Sequence, residues 1–200
     1  MKIALIPGRY QPITIAHESI IRKAAEENDV VYVYIIGGGE GKQANDPKKN
    51  PIPVEKREEL VNKTVIDSNV NVRVFPEANL DKIGDEIADE VLDIDNEIII
   101  YAGTDRSSYE RQLKYINDPE KSNGKSKRFK ARVEVIRRMG DDVSATDVRQ
   151  ALKMDDREAF EALTPDAIHD EFDTLQGYVT ENNFTIFDEL MIEVTKRGYR

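Results

Sequence analysis

Cysteine is absent from the 200 residues, which excludes a disulfide scaffold, cysteine-ligated zinc or iron–sulfur centres, and thiol catalysis. Histidine is scarce, and only His17 and His169 offer an imidazole. A basic surplus is missing as well. With 39 acidic against 29 basic side chains the formal net charge is -10, so the chain has no general attraction to a phosphate backbone or an anionic membrane. Any anion site must therefore be local. No apolar run approaches the roughly 20 residues that cross a bilayer. The first ten residues, MKIALIPGRY, also lack the apolar core of a signal peptide. Together these absences lead to the expectation of a soluble, cytoplasmic protein that does not engage membranes.

What is present suffices for one domain with a real core, since the apolar share, glycine included, lies just under the ordinary range. Short runs rich in Val, Ile and Tyr recur at Ile3–Pro7, Val30–Ile36, Val70–Phe75, Glu97–Ala102 and Val133–Arg138. Such runs suit strands buried on both faces. Between them, His17–Glu27, Pro53–Ile66, Asp81–Leu92 and Arg106–Ile116 carry apolar residues three and four apart, each offering one stripe to a sheet. The alternation predicts an α/β fold: a Rossmann-like, open, parallel five-stranded sheet with helices on both faces. Ser144–Lys153 and Arg157–Leu163 follow as helices. The expected domain covers residues 1–164. Residues 165–200 form a C-terminal helical extension whose stripe Phe184, Phe187, Leu190, Met191, Val194 covers the domain or a second copy of the chain. Gly37–Pro53 and Asp118–Lys130 read as loops. The second is the one basic island, with Lys121, Lys125, Lys127, Arg128 and Lys130, and is either a solvated loop or a grip on a polyanion.

In an open parallel sheet, ligands bind beyond the carboxyl ends of the strands, where neighbouring connections lead to opposite sides. The first strand runs into Gly8-Arg9-Tyr10-Gln11-Pro12-Ile13-Thr14-Ile15-Ala16-His17. This loop must turn at Gly8 and then open a helix whose first turn carries Thr14 and His17 on one face. Unpaired amides and the helix dipole at such a start favour an anion. A second start of the same kind follows the fifth strand, at Val143-Ser144-Ala145-Thr146-Asp147-Val148-Arg149, with Ser144 a natural N-cap and Arg149 about one turn further on. Its hydroxyls, free amides and guanidinium suit a triphosphate tail. Each piece alone has an ordinary reading, a capped helix for Ser144 to Thr146 and a structural histidine for His17. The occurrence of both, at the two ends of one α/β pattern, points to a shared polyphosphate.

Thr14-Ile15-Ala16-His17 resembles the His/Thr-x-Gly-His signature of the nucleotidylyltransferase superfamily, and Val143 to Arg149 resembles its Ile-Ser-x-Thr-x-x-Arg signature. Gly8-Arg9-Tyr10-Gln11-Pro12, with Asn50-Pro51 and Arg57, is similar to segments of archaeal-type nicotinamide-mononucleotide adenylyltransferases. Asp46–Pro51, Ala102–Arg106 and the run from Tyr109 to Tyr115 are similar to phage-encoded members labelled cytidylyl- or adenylyltransferase-like. The resemblance covers roughly residues 1 to 164 and departs from the pattern at Ala16, which stands where the signature has glycine, and at Thr14, a variation other members share.

The resemblance implies in-line attack by an acceptor phosphate oxygen on the α-phosphorus of a nucleoside triphosphate, with pyrophosphate leaving. It implies that His17 donates to an α-phosphate oxygen, that Thr14 contacts the triphosphate, and that Ser144, Thr146 and Arg149 hold the β- and γ-phosphates. Gly8, Arg9 and Gln11 are expected at the phosphates or the acceptor. Gly103, Asp105 and Arg106 are expected at the ribose and base, although Asp105 also reads as an N-cap. Asn50 and Arg57 are expected at the acceptor or on a lid, although Arg57 also reads as a partner of nearby glutamates. Mg²⁺ is the expected cofactor, bound mainly through the triphosphate, so no metal-ligand cluster is expected in the chain. The first expectation for the substrates is ATP and nicotinamide mononucleotide, giving NAD. An alternative is CTP with a phosphorylated alcohol. From another class, Ala16 permits a nucleotide-binding regulator without turnover. An RNA-binding role is disfavoured by the acidity and by the absence of an aromatic stacking pattern.

Overall fold

The apolar runs become strands because Val, Ile and Tyr fit a pleated surface covered on both sides. In the computed structural model these strands are β1 (Lys2–Gly8), β2 (Val30–Ile36), β3 (Val70–Phe75), β4 (Glu97–Ala102) and β5 (Lys130–Val135). The structure describes residues 1–37, 50–76, 82, 83, 86, 96–102, 113, 114, 118, 120, 130–135 and 143–180. All strand pairings are parallel, in the order β3-β2-β1-β4-β5. Ile3 lies opposite Val30 on one side and Ile98 on the other, so β1 is central. The chain leaves β1 towards β2 and β3 and returns on the opposite side as β4. The switch point therefore falls between the carboxyl ends of β1 and β4, which is where this class of sheet opens its ligand crevice.

Alternate residues of each strand serve two cores. One face carries Ala4, Ile6, Val33, Ile35 and Ile99 against α1 (Ile15–Glu27) and α2 (Val54–Thr64), through Ile20, Ile21, Ala24, Leu60 and Val61. The other carries Ile3, Leu5, Tyr32, Tyr34, Ile98 and Ile100 against Ile83 and Leu113. Most of the helices expected at 81–92 and 106–116 lies outside the described residues, but 82, 83, 86, 113 and 114 are helical.

Among the boundaries that differ from the sequence reading, two matter most. Strand β5 occupies Lys130–Val135 rather than beginning at Val133. It pairs residue for residue with β4, and Arg132 is ion-paired to Glu97 at 2.9 Å and Glu134 at 3.2 Å. At a sheet edge, charged side chains can face water while the backbone still pairs, so the charges that suggested a loop belong to an edge strand. Helix α1 begins two residues before His17, because Thr14 caps it.

After β5 come α3 (Ala145–Lys153), α4 (Arg157–Leu163), a 3₁₀ turn (Asp166–Glu171) and helical residues 172–180. Phe160, Ile168, Phe172, Leu175 and Val179 enter the same core as α1 and α2. Lys63 pairs with Asp170 at 2.6 Å and Lys56 with Glu171 at 2.9 Å, lacing the 3₁₀ turn to α2. Water screens the exposed Lys63–Asp170 pair, whereas each buried large apolar side chain contributes about 1.5–3 kcal/mol, so the packing dominates this attachment. The stripe from Phe184 to Val194 lies outside the described residues. Among those described, no helix is long and apolar enough to cross a membrane.

Candidate active site

Chain geometry at the end of β1 is set by a folded-back tyrosine. Tyr10 sits at φ 48°, in the left-handed region that a non-glycine residue occupies only when its surroundings hold it there. Its hydroxyl donates to the carbonyl of Ile6 at 3.0 Å, and its ring lies 5.0 Å from that of His17. A Cβ at Gly8 would come within 2.8 Å of the Tyr10 ring, so glycine is required for the ring to fold back over the strand end.

His17 is held by a capping box. Thr14 is the N-cap of α1; its Oγ1 accepts from the His17 amide at 3.3 Å, while the Thr14 amide donates to His17 Nδ1 at 3.2 Å. Because Nδ1 accepts that backbone N–H, it must carry its lone pair, and the ring proton of a neutral His17 resides on Nε2. Thr14 Oγ1 also lies 2.9 Å from Nδ1, so its hydroxyl reinforces the same tautomer. A neutral, Nε2-protonated imidazole at a helix start is a fixed hydrogen-bond donor. Thr14 itself is 0 % exposed, so its hydroxyl serves His17 rather than a ligand, unlike the direct triphosphate contact expected from the sequence. The methyl of Ala16 is likewise accommodated inside the fold, at 2 % exposure.

The second signature also forms a capping box. Ser144 caps α3; its Oγ accepts from the Asp147 amide at 3.2 Å, and the Asp147 carboxylate accepts from the Ser144 amide at 3.1 Å and from the Ser144 hydroxyl. The Ser144 hydroxyl and amide bonds hold the Asp147 carboxyl below its usual range. The ordinary reading of Ser144 as a cap is thus realised, and Thr146 is exposed on the first turn.

Arg149 ties the second signature to the loop that leads into the first. Its Nη1 donates to the carbonyl of Gln11 at 2.7 Å, across 138 residues of sequence, while Nη2 donates to Thr146 Oγ1 at 3.1 Å. The Gln11 amide is not directed at a ligand. It is buried and binds the backbone of Ile52 with both of its polar atoms, each at 3.0 Å. Asn50, half-buried, lies two residues before that junction.

Arg57 projects from the first turn of α2 and is only 3 % exposed. Its Nη1 donates to the carbonyls of Arg9 at 2.6 Å and Ile36 at 2.9 Å, bridging the ends of β1 and β2. Its Nε is buried with no hydrogen-bond partner, and among the described residues no carboxylate forms an ion pair with it. The sequence reading that paired Arg57 with neighbouring glutamates therefore fails, because the guanidinium turns inward to backbone carbonyls. Burial, with a further contribution from the charge of Arg9, holds Arg57 at about 10, against an opposing pull from Glu55. Arg149 is lowered by burial and then by Arg9, with Asp147 opposing. Both guanidiniums thus feel the charge of exposed Arg9, and three cations converge on the carboxyl end of β1. Such a convergence of positive charge favours an anion there.

Gly37 was missed by sequence reasoning. It has φ +149°, and a Cβ there would collide with Arg57 Nη2. The only signal was its place as the first glycine of a triple glycine directly after a strand. Gly103, Asp105, Arg106 and the basic residues Lys121 to Arg128 lie outside the described residues, as does 38–49. Among the described residues no group of acidic or histidine side chains could hold a metal ion.

The cytidylyltransferase-like family model matches residues 5–151. A phosphopantetheine adenylyltransferase of Clostridium tetani is 40% identical over 76 residues, 38% of this chain and 43% of that protein. One from Clostridium perfringens strain SM101 is 31% identical over 93 residues, 46% of this chain and 52% of that protein. These matches span about half the length of the curated relatives. Among solved structures, a bifunctional NMN adenylyltransferase/ADP ribose pyrophosphatase from Francisella tularensis covers 96% of this chain and 56% of its own, at TM-score 0.60 and 19% identity. The NadR protein in complex with NR covers 84% of this chain and 43% of its own, at TM-score 0.58 and 21% identity. At such identities the structural likeness speaks for the fold alone.

Proposed function

This chain belongs to the cytidylyltransferase-like family, and from that premise we propose that it is a nucleotidylyltransferase that moves an adenylyl group from ATP to a phosphorylated small molecule, releasing pyrophosphate. The observation that carries this reading is the bond from Arg149 to the Gln11 carbonyl, which ties the second signature to the loop leading into the first. An adenylyl donor is favoured over CTP because the curated relatives are adenylyltransferases. Nicotinamide mononucleotide is the first acceptor. Gly8 to Pro12 and Asn50 to Arg57, the segments that resemble enzymes acting on it, are knit together here by the Gln11–Ile52 and Arg57–Arg9 bonds. Phosphopantetheine is the second acceptor, favoured by the identity to the clostridial proteins.

The acceptor phosphate is already a nucleophile, so the residues have to align two repelling anions and neutralise the charge that develops on the α-phosphoryl group and the leaving pyrophosphate. The Nε2–H of His17, with its tautomer fixed by Thr14, donates to an α-phosphate oxygen and acts as a charge stabiliser, not a base. Arg149 and Thr146 take the β- and γ-phosphates, with Ser144 shaping the helix start. Exposed Arg9, with the charge of buried Arg57 behind it, serves the acceptor phosphate. The donor set is cationic and protonated, which fits a polyphosphate rather than a bare metal ion. Magnesium would therefore enter held by the triphosphate and contribute charge neutralisation.

Pyrophosphate release should be measured with each of the four nucleoside triphosphates against nicotinamide mononucleotide and phosphopantetheine. The proposal expects turnover with ATP and the first acceptor. Turnover with CTP alone would overturn it, and ATP binding without pyrophosphate from any acceptor would establish a regulator instead.

A further inference from the structure

We propose that Gln11 is a positioning residue that locks the acceptor-side segment 50–53 to the triphosphate-side helix α3, so that the two halves of the crevice are set as one unit. The inference rests on the nucleotidylyltransferase reading and assigns Gln11 a role other than ligand contact.

Gln11 is 2 % exposed, and its amide closes a two-bond ring with a single residue 41 positions away: Nε2 donates to the Ile52 carbonyl and Oε1 accepts the Ile52 amide. This is the pairing of a strand rung, made by a side chain. The carbonyl of the same Gln11 accepts Nη1 of Arg149. One buried residue thus joins three chain segments: its own loop after β1, the approach to α2, and α3. The circuit closes on itself, because Ile52 leads directly into α2, whose Arg57 returns to the carbonyl of Arg9, two residues before Gln11. If segment 50–53 shifts, the Gln11 backbone shifts with it, and the seat of Arg149 is lost.

The chemistry needs an amide. Only a neutral group with both a donor and an acceptor at its tip can satisfy the N–H and the C=O of one buried residue. A carboxylate at this position would keep the bond from the Ile52 amide but turn a lone pair towards the Ile52 carbonyl. A thioether would satisfy neither group.

The test uses the full chain with Gln11→Glu and Gln11→Met, and inorganic tripolyphosphate as the probe. Hydrogen exchange on the free protein should accelerate by about tenfold or more at Ile52 and, together with it, at the start of α3, while the sheet stays protected. Tripolyphosphate affinity should fall by at least about tenfold in both variants, since one good charged hydrogen bond is misplaced. In Gln11→Glu alone, lowering the pH should protonate the introduced carboxyl and restore the ratio of its affinity to that of the unaltered protein. Faster exchange confined to Ile52, a uniform loss of protection across the sheet, or unchanged tripolyphosphate affinity would each overturn the coupling. Joint acceleration at both segments, in a protein that never binds tripolyphosphate, would uphold the coupling and refute the phosphate site on which the function rests.

Discussion

Replacing Arg57 by methionine tests whether the buried cation serves the fold or a ligand. Burial holds the guanidinium at about 10, well below its ordinary value, a charging penalty on the order of 3 kcal/mol at neutral pH. Against it stand two charge-assisted bonds to the carbonyls of Arg9 and Ile36, each contributing about 1.5–3 kcal/mol. Methionine fills much of the same volume and removes both effects, so they largely offset, and urea unfolding should show a stability loss of no more than about 3 kcal/mol. Ligand-linked behaviour should change far more. Inorganic phosphate or tripolyphosphate should stabilise the unaltered protein by mass action, and the variant much less. With nicotinamide mononucleotide as acceptor, kcat/KM should fall by about 100-fold or more, the range for losing a charged partner of a bound phosphate. Because the folded pKa is lowered, the penalty is present at every pH below about 10 and fades as pH rises from there to the ordinary guanidinium value, so this group alone makes stability rise with pH across that window. A stability loss above about 4 kcal/mol with undiminished stabilisation by phosphate would refute the reasoning and make Arg57 a structural strut.

Three further substitutions probe other parts of the account. His17→Ala should lower kcat by about two to three orders of magnitude with the fold retained, as when one transition-state donor is lost; steady-state kinetics beside circular dichroism checks this. Tyr101 donates to Glu27 and accepts from Asn28; burial, with Glu27 and Glu134, raises it to about 12 against the opposing bond from Asn28. A raised acid stabilises the fold while protonated, so that contribution is complete below pH 10 and is lost between about 10 and 12. Tyr101→Phe should cost about 1–2 kcal/mol at neutral pH and remove that alkaline loss, seen by urea titrations at several pH values. Phe172, 1 % exposed and edge-on to Phe160 at 5.2 Å, anchors the segment after Pro165; Phe172→Ala should cost about 3–5 kcal/mol by calorimetry, and a cost below about 1 kcal/mol would detach that segment from the core.

Features set by local chemistry were legible in the sequence. The bounds of β2, β3 and β4 follow from their Val, Ile and Tyr runs, and Ser144 reads correctly as a cap because capping needs only neighbours along the chain. What escaped was tertiary. Nothing local to Gln11 says that its amide ends on Ile52, nor does Arg57 announce the carbonyls it meets or Gly37 the guanidinium packed against it. Thr14 was placed on the correct turn but on the wrong side of the cap, since an N-cap and a first-turn residue carry the same spacing to His17. Strand β5 was displaced because Lys130 and Arg132 look solvated, and an edge strand permits that without leaving the sheet.

The central claim is that His17 and Arg149 serve one nucleotide. A crystal structure with magnesium and the non-reactive α,β-methylene analogue of ATP tests it most directly. The account predicts His17 Nε2 within hydrogen-bond reach of an α-phosphate oxygen, and the Arg149 guanidinium on the terminal phosphates of the same molecule. A triphosphate bound elsewhere, or contacting one signature with the other facing away, would contradict it.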